Sequence, residues 1–245
     1  MSETRIGIDI GGSGIKAAVV DLDTGSVIGD RVRIETPQPA MPDAVADAVA
    51  ELVEASRVEG PVGVGFPAVV TDGKVLTANN IDLSWLGVNV RDLLRERLGR
   101  RVEVANDADA AALGEREYGS ARGVDGLVAV ITFGTGIGSG LLMDGKLIPN
   151  VELGQLELDG HRPAEAHFSA KARRREGLDW EVWGDRANRF LTHVQSLLAP
   201  TLILVGGGVV RKWELWSGHL DEDLPVEPAG LVHNAGAVGA ATLVR

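Results

Sequence analysis

Ile6, Ile8 and Ile10 alternate with Gly7 and Asp9, the two-residue period of a strand, and after a turn of glycines a second apolar run occupies 15–22. A third strand is predicted over 27–35, ended by Pro37 and Pro39. From 42 to 57 the period lengthens. Ala44, Val45, Ala48, Val49, Leu52 and Val53 share one helical face, with Asp43, Asp47, Glu51 and Glu54 opposite, which predicts a crossover helix. A short buried strand over 61–66, a hairpin over 69–76 with an Asp72-Gly73 turn, a helix over 90–98 and a strand over 102–105 follow. The β-β-β-α-β order is that of an α/β lobe.

The second half repeats the opening design. The stretch 131–140, Ile-Thr-Phe-Gly-Thr-Gly-Ile-Gly-Ser-Gly, is an apolar strand and a Gly/Thr/Ser turn, followed by apolar 141–143 and an Asp144-Gly145 turn. Helices are predicted from Asp107 to Glu115, over 164–175 and as two segments within 180–198. A buried strand over 201–205 opens into Gly206, Gly207 and Gly208 at an expected helix start, and a helix of small residues over 233–241 closes the pattern.

Composition removes several classes of function. With 44% apolar residues in 245, real cores are expected, and no run approaches the roughly 18 apolar residues of a membrane helix. MSETRIGIDIGG has no basic segment followed by an apolar block, so a cytoplasmic protein is expected. The absence of cysteine excludes disulfides and thiolate chemistry. A net charge of −11 argues against general nucleic-acid binding, so any polyanion must find a local basic patch.

Four stretches carry candidate chemistry, each with a plain structural alternative. Gly11, Gly12 and Gly14 could take φ > 0 and bring N–H groups to a phosphate, with Ser13 and Lys16 adding a hydroxyl and a positive charge; an ordinary hairpin turn is the alternative. A P-loop and a Rossmann fingerprint are both excluded, because each feeds a helix and here a strand follows. The stretch 77–85, with Asn79, Asn80 and Trp85, reads as a sugar-binding loop walled by an indole, or as a plain connector. Asp107 sits at a helix start after a strand, where it could take a proton from a hydroxyl; equally, it or Asn106 could cap the helix. Lys171, Arg173, Arg174 and Arg175 form the densest basic cluster, a track for a polyanion or a solvated helix face.

Taken together, Asp9-Ile-Gly-Gly-Ser-Gly-Ile-Lys16, Asn106-Asp107-Ala108 with Gly114-Glu115, Thr135-Gly-Ile-Gly-Ser-Gly140, Glu152-Leu-Gly-Gln155, Leu204-Val-Gly-Gly-Gly208 and Ala235-Gly-Ala-Val-Gly-Ala-Ala241 resemble the ROK family of sugar kinases. Within it, the chain is most similar to the actinobacterial polyphosphate/ATP glucokinases. The resemblance implies the actin-like (ribonuclease H-like) fold, two α/β lobes closing over a cleft. The small lobe would be 1–105 with 234–245 packing back on it, and the large lobe 106–233.

It also implies roles. Asp107 would be the general base on the glucose 6-hydroxyl, with Asn79, Asn80, Asn106, Glu152, Gln155 and Glu165 on the sugar. Gly11, Gly12, Ser13, Gly14 and Lys16 with Thr135, Gly136 and Gly138 would cradle the phosphates of polyphosphate or ATP. Asp9 would organise Mg²⁺ through water, Gly206, Gly207 and Gly208 would meet the adenosine, and the protein would be a homodimer. Two departures stand out: Gln155 occupies the place of the family's usual histidine, and with no cysteines and a short 155–165 segment no zinc is expected. The competing readings are an ATP-only hexokinase acting on glucose or mannose, a sugar-responsive regulator, and a nucleotide-binding structural protein. The regulator is disfavoured because only five residues precede Ile6, too few for a helix-turn-helix.

Overall fold

The computed structural model describes residues 3–232 and 234–245. Its contacts divide the chain into two compact units, one running to Gly119 and taking in Asn234–Arg245, the other starting at Ser120. The division thus falls after Gly119 rather than at the expected 105, and the helix that begins at Asp107 belongs to the first unit.

The first unit is built on a five-stranded sheet. Strands β1 (Thr4–Gly11), β2 (Gly14–Asp21) and β3 (Val27–Ile34) are antiparallel, whereas β4 (Val62–Phe66) runs parallel to β1 and β7 (Val102–Asn106) parallel to β4, giving the order β3-β2-β1-β4-β7. A two-stranded hairpin, β5 (Val70–Thr71) with β6 (Lys74–Val75), stands apart. Helices α1 (Pro42–Ser56) and α2 (Val90–Leu98) bury Val45, Val49, Leu52, Val90 and Leu94 in one core with Ile6, Ile8 and Ile10.

The opposite face of β1 and β4 carries Gly7, Gly63 and Gly65, and it too is covered. Helices α3 (Asp107–Tyr118) and α7 (Ala235–Thr242) lie there so closely that a Cβ on Gly7 would sit 1.8 Å from the Ala237 carbonyl oxygen, and one on Gly63 1.7 Å from that of Ala240. The two helices pack on each other through glycines as well, since a Cβ on Gly239 would meet the Ala110 carbonyl oxygen at 1.6 Å. His233, where the last helix was expected to begin, lies outside the described residues.

The second unit has its own five-stranded sheet, ordered β10-β9-β8-β11-β12. Its strands are β8 (Leu127–Phe133), β9 (Ile137–Met143), β10 (Lys146–Ile148), β11 (Leu202–Gly207) and β12 (Val226–Pro228), with β11 parallel to β8 and to β12. The 180–198 stretch is a single helix, α6 (Trp180–Leu198), rather than two; Asp179 caps it and no residue inside breaks the pattern. It buries Trp183, Ala187, Phe190, Leu191 and Val194 against Ile131, Phe133, Ile203 and Val205. Conversely, the helix expected over 164–175 is two: α4 (Glu165–Phe168) and α5 (Ala170–Glu176). The break is Ser169, whose extended backbone (ψ 162°) lets its hydroxyl accept from the Ala172 N–H as an N-cap. After β11 the chain forms 3₁₀ turns over Gly208–Leu215 in place of the expected helix start. No helix among the described residues is long and apolar enough to cross a membrane.

Candidate functional site

In the first unit the β1–β2 turn is fixed from outside. Thr36 donates its hydroxyl to the Gly11 carbonyl at 2.6 Å, Gln38 its amide to Gly12 O at 3.4 Å, and Arg33 its guanidinium to Ser13 O at 2.9 Å. None of Gly11, Gly12 or Gly14 takes a positive φ, so the expected reason for these glycines is corrected: they are needed for close approach. A Cβ on Gly12 would stand 2.8 Å from the Asn80 carbonyl oxygen, and one on Gly14 2.6 Å from the Arg33 guanidinium. The turn and the asparagine loop are therefore neighbours. Lys16, expected to offer its charge to phosphate, places Nζ 2.7 Å from the Asp9 Oδ2. On its other side the Asp9 carboxylate abuts α7, since a Cβ on Gly236 would come within 2.9 Å of it.

In the asparagine loop, Asn79 is exposed and Asn80 half-buried. Trp85 does not wall this loop. Its ring is fully buried, edge-on to Phe66 at 4.7 Å, and its indole N–H donates to Ala40 O at 2.8 Å, so it is a core residue.

At the end of β7, Asn106 caps α3: its Oδ1 accepts from the N–H groups of Ala108 at 2.9 Å and Asp109 at 3.1 Å, and its amide donates to Ala68 O at 3.2 Å. Three of the four hydrogen bonds this amide can make are thus spent on the fold, which leaves one amide hydrogen for a sugar. Asp107 stands at the first helical position, half-buried, with Oδ1 accepting from the Ala108 N–H at 2.9 Å. The neighbouring asparagine supplies the N-cap through two N–H bonds, and Asp107 adds one bond to the same Ala108 N–H.

In the second unit the loop between β8 and β9 is closed by the Gly134 N–H donating to Gly136 O at 2.9 Å, which sets Thr135 at its tip. Ile137, the first residue of β9, donates its N–H to Glu165 Oε2 at 3.0 Å, while Gln155 donates its amide to Glu165 Oε1 at 2.9 Å. Glu165 is thereby oriented by two partners. Gly154 makes this possible, since a Cβ there would stand 2.4 Å from the Ile137 carbonyl oxygen. Ser139, not singled out by the sequence reading, donates its hydroxyl to Val151 O at 2.5 Å and accepts from the Leu153 N–H at 2.9 Å, so it clamps the Glu152 segment to β9. Its only sequence signal was its place inside the second glycine motif.

The segment between Gln155 and Glu165 is held by protein groups. Leu158 and His161 exchange backbone hydrogen bonds, Arg189 grips Asp159 with two bonds of 2.8 and 2.7 Å, and the His161 and His167 rings stack 3.8 Å apart. Among the described residues no three His, Cys, Asp or Glu side chains converge in a metal-holding group.

Gly207, at the end of β11, has φ 86°, and a Cβ there would stand 2.5 Å from the Phe133 carbonyl oxygen; both facts demand glycine. Next to it lies a pocket of about 220 Å³ lined by Phe133, Gly134, Arg173, Arg174, Trp180 and Gly208, among others. The arginines of α5 take different partners. Arg173 is pinned by a 2.6 Å bond to Leu178 O with its guanidinium 3.8 Å over the Trp180 ring centre, and Arg175 turns to Ala166 O at 2.8 Å and to Glu176. Arg174 remains on the exposed rim of the pocket.

The ROK family profile matches residues 5–172. The chain is 47% identical over 236 residues to a polyphosphate glucokinase of Mycobacterium tuberculosis (strain CDC 1551 / Oshkosh), covering 96% of this chain and 89% of that one. Its fold matches that of an inorganic polyphosphate/ATP-glucomannokinase from Arthrobacter sp. strain KM with a TM-score of 0.95 and 49% identity over 98% of each chain. A ROK family glucokinase from Streptomyces griseus, solved with glucose and AMPPNP, matches with a TM-score of 0.86 and 27% identity over 99% of each chain.

Proposed function

The chain belongs to the ROK family, and from that premise we propose that it transfers a phosphoryl group from inorganic polyphosphate or ATP to the 6-hydroxyl of glucose, giving glucose 6-phosphate. One observation carries the chemistry: Asp107 opens α3 directly after β7, which sets a half-buried carboxylate at the C-terminal end of a strand, where a general base is placed in α/β folds. As the sugar oxygen attacks the terminal phosphorus, Asp107 accepts its proton, and the shortened donor leaves as the phosphoanhydride bond breaks. Asn79, Asn80, Glu152, Gln155, Glu165 and the remaining amide hydrogen of Asn106 bind the sugar hydroxyls. The turn of Gly11, Gly12, Ser13 and Gly14, the Thr135, Gly136 and Gly138 loop and Gly206, Gly207 and Gly208 receive the donor.

Asp9 is a single carboxylate already bonded to Lys16. That donor set fits a Mg²⁺ held by one carboxylate, directly or through water, and otherwise by donor phosphates, as this ion prefers. When bound, the ion neutralises phosphate charge. Lys16 orients the Asp9 carboxylate, and Gly236 leaves room for it against α7. The glucomannokinase name of the Arthrobacter relative favours mannose as a second acceptor. A homodimer goes with the family reading, and sedimentation would test it.

The deciding assay measures hexose 6-phosphate formation by the purified chain from glucose or mannose, with polyphosphate or ATP. Turnover with glucose and either donor is expected, and no product with any combination would overturn the reading.

A further inference from the structure

We propose that the pocket between α5, α6 and the ends of β8 and β11 seats the donor phosphates beyond the one transferred, and that Arg173 and Arg174 bias it toward a linear polyphosphate over a nucleoside triphosphate. This rests on the phosphotransferase reading above. The pocket adjoins both glycine turns of the second unit, because Gly134 opens the Thr135 loop and Gly208 follows β11, and both residues line it. A donor held by those turns therefore extends into this space.

What meets it there is cationic. Arg174 stands on the pocket wall, and Arg173 lines the same cavity. The chain's net charge is −11, so this local positive site opposes a repulsive background field. One face of the Trp180 ring is meanwhile taken: the Arg173 guanidinium lies 3.8 Å over the ring centre and is locked there by Leu178 O, while Trp180 meets Trp183 edge-on at 5.8 Å. A nucleobase seeking that face as a stacking platform must displace a cation–π contact. A phosphate finds a half-buried guanidinium already oriented by Leu178 O and the Trp180 ring. Base stacking is thus disfavoured and phosphate favoured by one side chain.

The consequence is a crossed effect, which a merely structural arginine would not produce. In the full chain with saturating glucose, Arg173→Ala is expected to lower KM for ATP and raise KM for long-chain polyphosphate. Arg174→Ala is expected to raise KM for polyphosphate about tenfold, the loss of one charge-assisted hydrogen bond, with KM for ATP nearly unchanged. Arg174→Lys should recover part of the loss, and the polyphosphate KM of the wild type should rise with salt more steeply than that of Arg174→Ala. Circular dichroism would confirm that the variants fold. Tripolyphosphate binding, followed by fluorescence of the tryptophans beside the pocket, reads the site without turnover. Equal binding by wild type and both variants, or equal KM changes for both donors, would overturn the proposal. Binding that depends on Arg174 in a chain that makes no glucose 6-phosphate from polyphosphate would support the pocket and overturn the donor reading alone.

Discussion

Asn106 and Asp107 show how adjacent residues divide labour. Either could cap α3 by its chemistry, and sequence alone leaves the choice open; backbone geometry gives the cap to Asn106 through two N–H bonds. Asp107→Asn is therefore expected to leave the thermal midpoint and glucose binding nearly unchanged while kcat falls about 10²- to 10⁴-fold, the usual worth of a general base. A variant with wild-type kcat would return Asp107 to a purely structural role. Gln155 offers a second test, because its amide orients Glu165 at 2.9 Å. Gln155→His, which installs the family's usual side chain, is expected to lower KM for glucose by about two- to tenfold, the worth of one improved hydrogen bond, or to shift the glucose-to-mannose ratio. Unchanged KM and preference would show that this position does not select the sugar. These candidate residues were legible because their types sit in ordered motifs. Ser139, Arg33 and Thr36 were not, because they act through backbone groups distant in sequence, and a hydroxyl or guanidinium bonded to a carbonyl leaves no pattern along the chain.

Periodicity found most of the elements, since an alternating or helical face is a local property. It missed β10 and β12, three-residue strands too short to show a period, and it ran through Ser169, where a single cap splits one helix into two. The small residues of α7 were legible as a close-packing helix, but their partners were not, because Gly7, Gly63 and Gly239 meet backbone from remote segments. Gly239→Ala forces a methyl onto the Ala110 carbonyl, and overpacking of this kind costs about 3 kcal/mol or more. The expected fall in thermal midpoint is about 6–12 °C, measurable by calorimetry. Around α4 the relevant quantity is pH. Burial holds the His167 imidazole below its ordinary 6.5; Arg186, His161 and Arg175 act in the same direction and Glu176 opposes them. A lowered folded pKa means that the unfolded chain takes up the proton first, so this contribution is complete above pH 6.5 and is lost as pH falls through the folded value. The urea midpoint should decline below pH 6.5, and His167→Gln should flatten that decline; identical slopes would count against the assignment.

The two-unit organisation was legible as two repeats of the strand-turn-strand design, but the boundary was not. Residues 107–118 read as the start of a new lobe after a strand, whereas the packing of α3 on α7 and on β4, together with the Tyr118 hydroxyl bond to Leu22 O, assigns them to the first unit. A chain ending at residue 233 should therefore show fast hydrogen exchange through 4–119 while 120–232 stays protected; equal protection in both would mean that α7 is dispensable. The return of α7 also sets a timetable. A ribosome adding about 5–20 residues per second spends about 6–23 s on the stretch that separates Gly119 from Asn234. Through that interval the part of the glycine face that α7 covers, Gly7 and Gly63 among it, stays bare in the nascent first unit, so the half that is synthesised first is the half that is completed last.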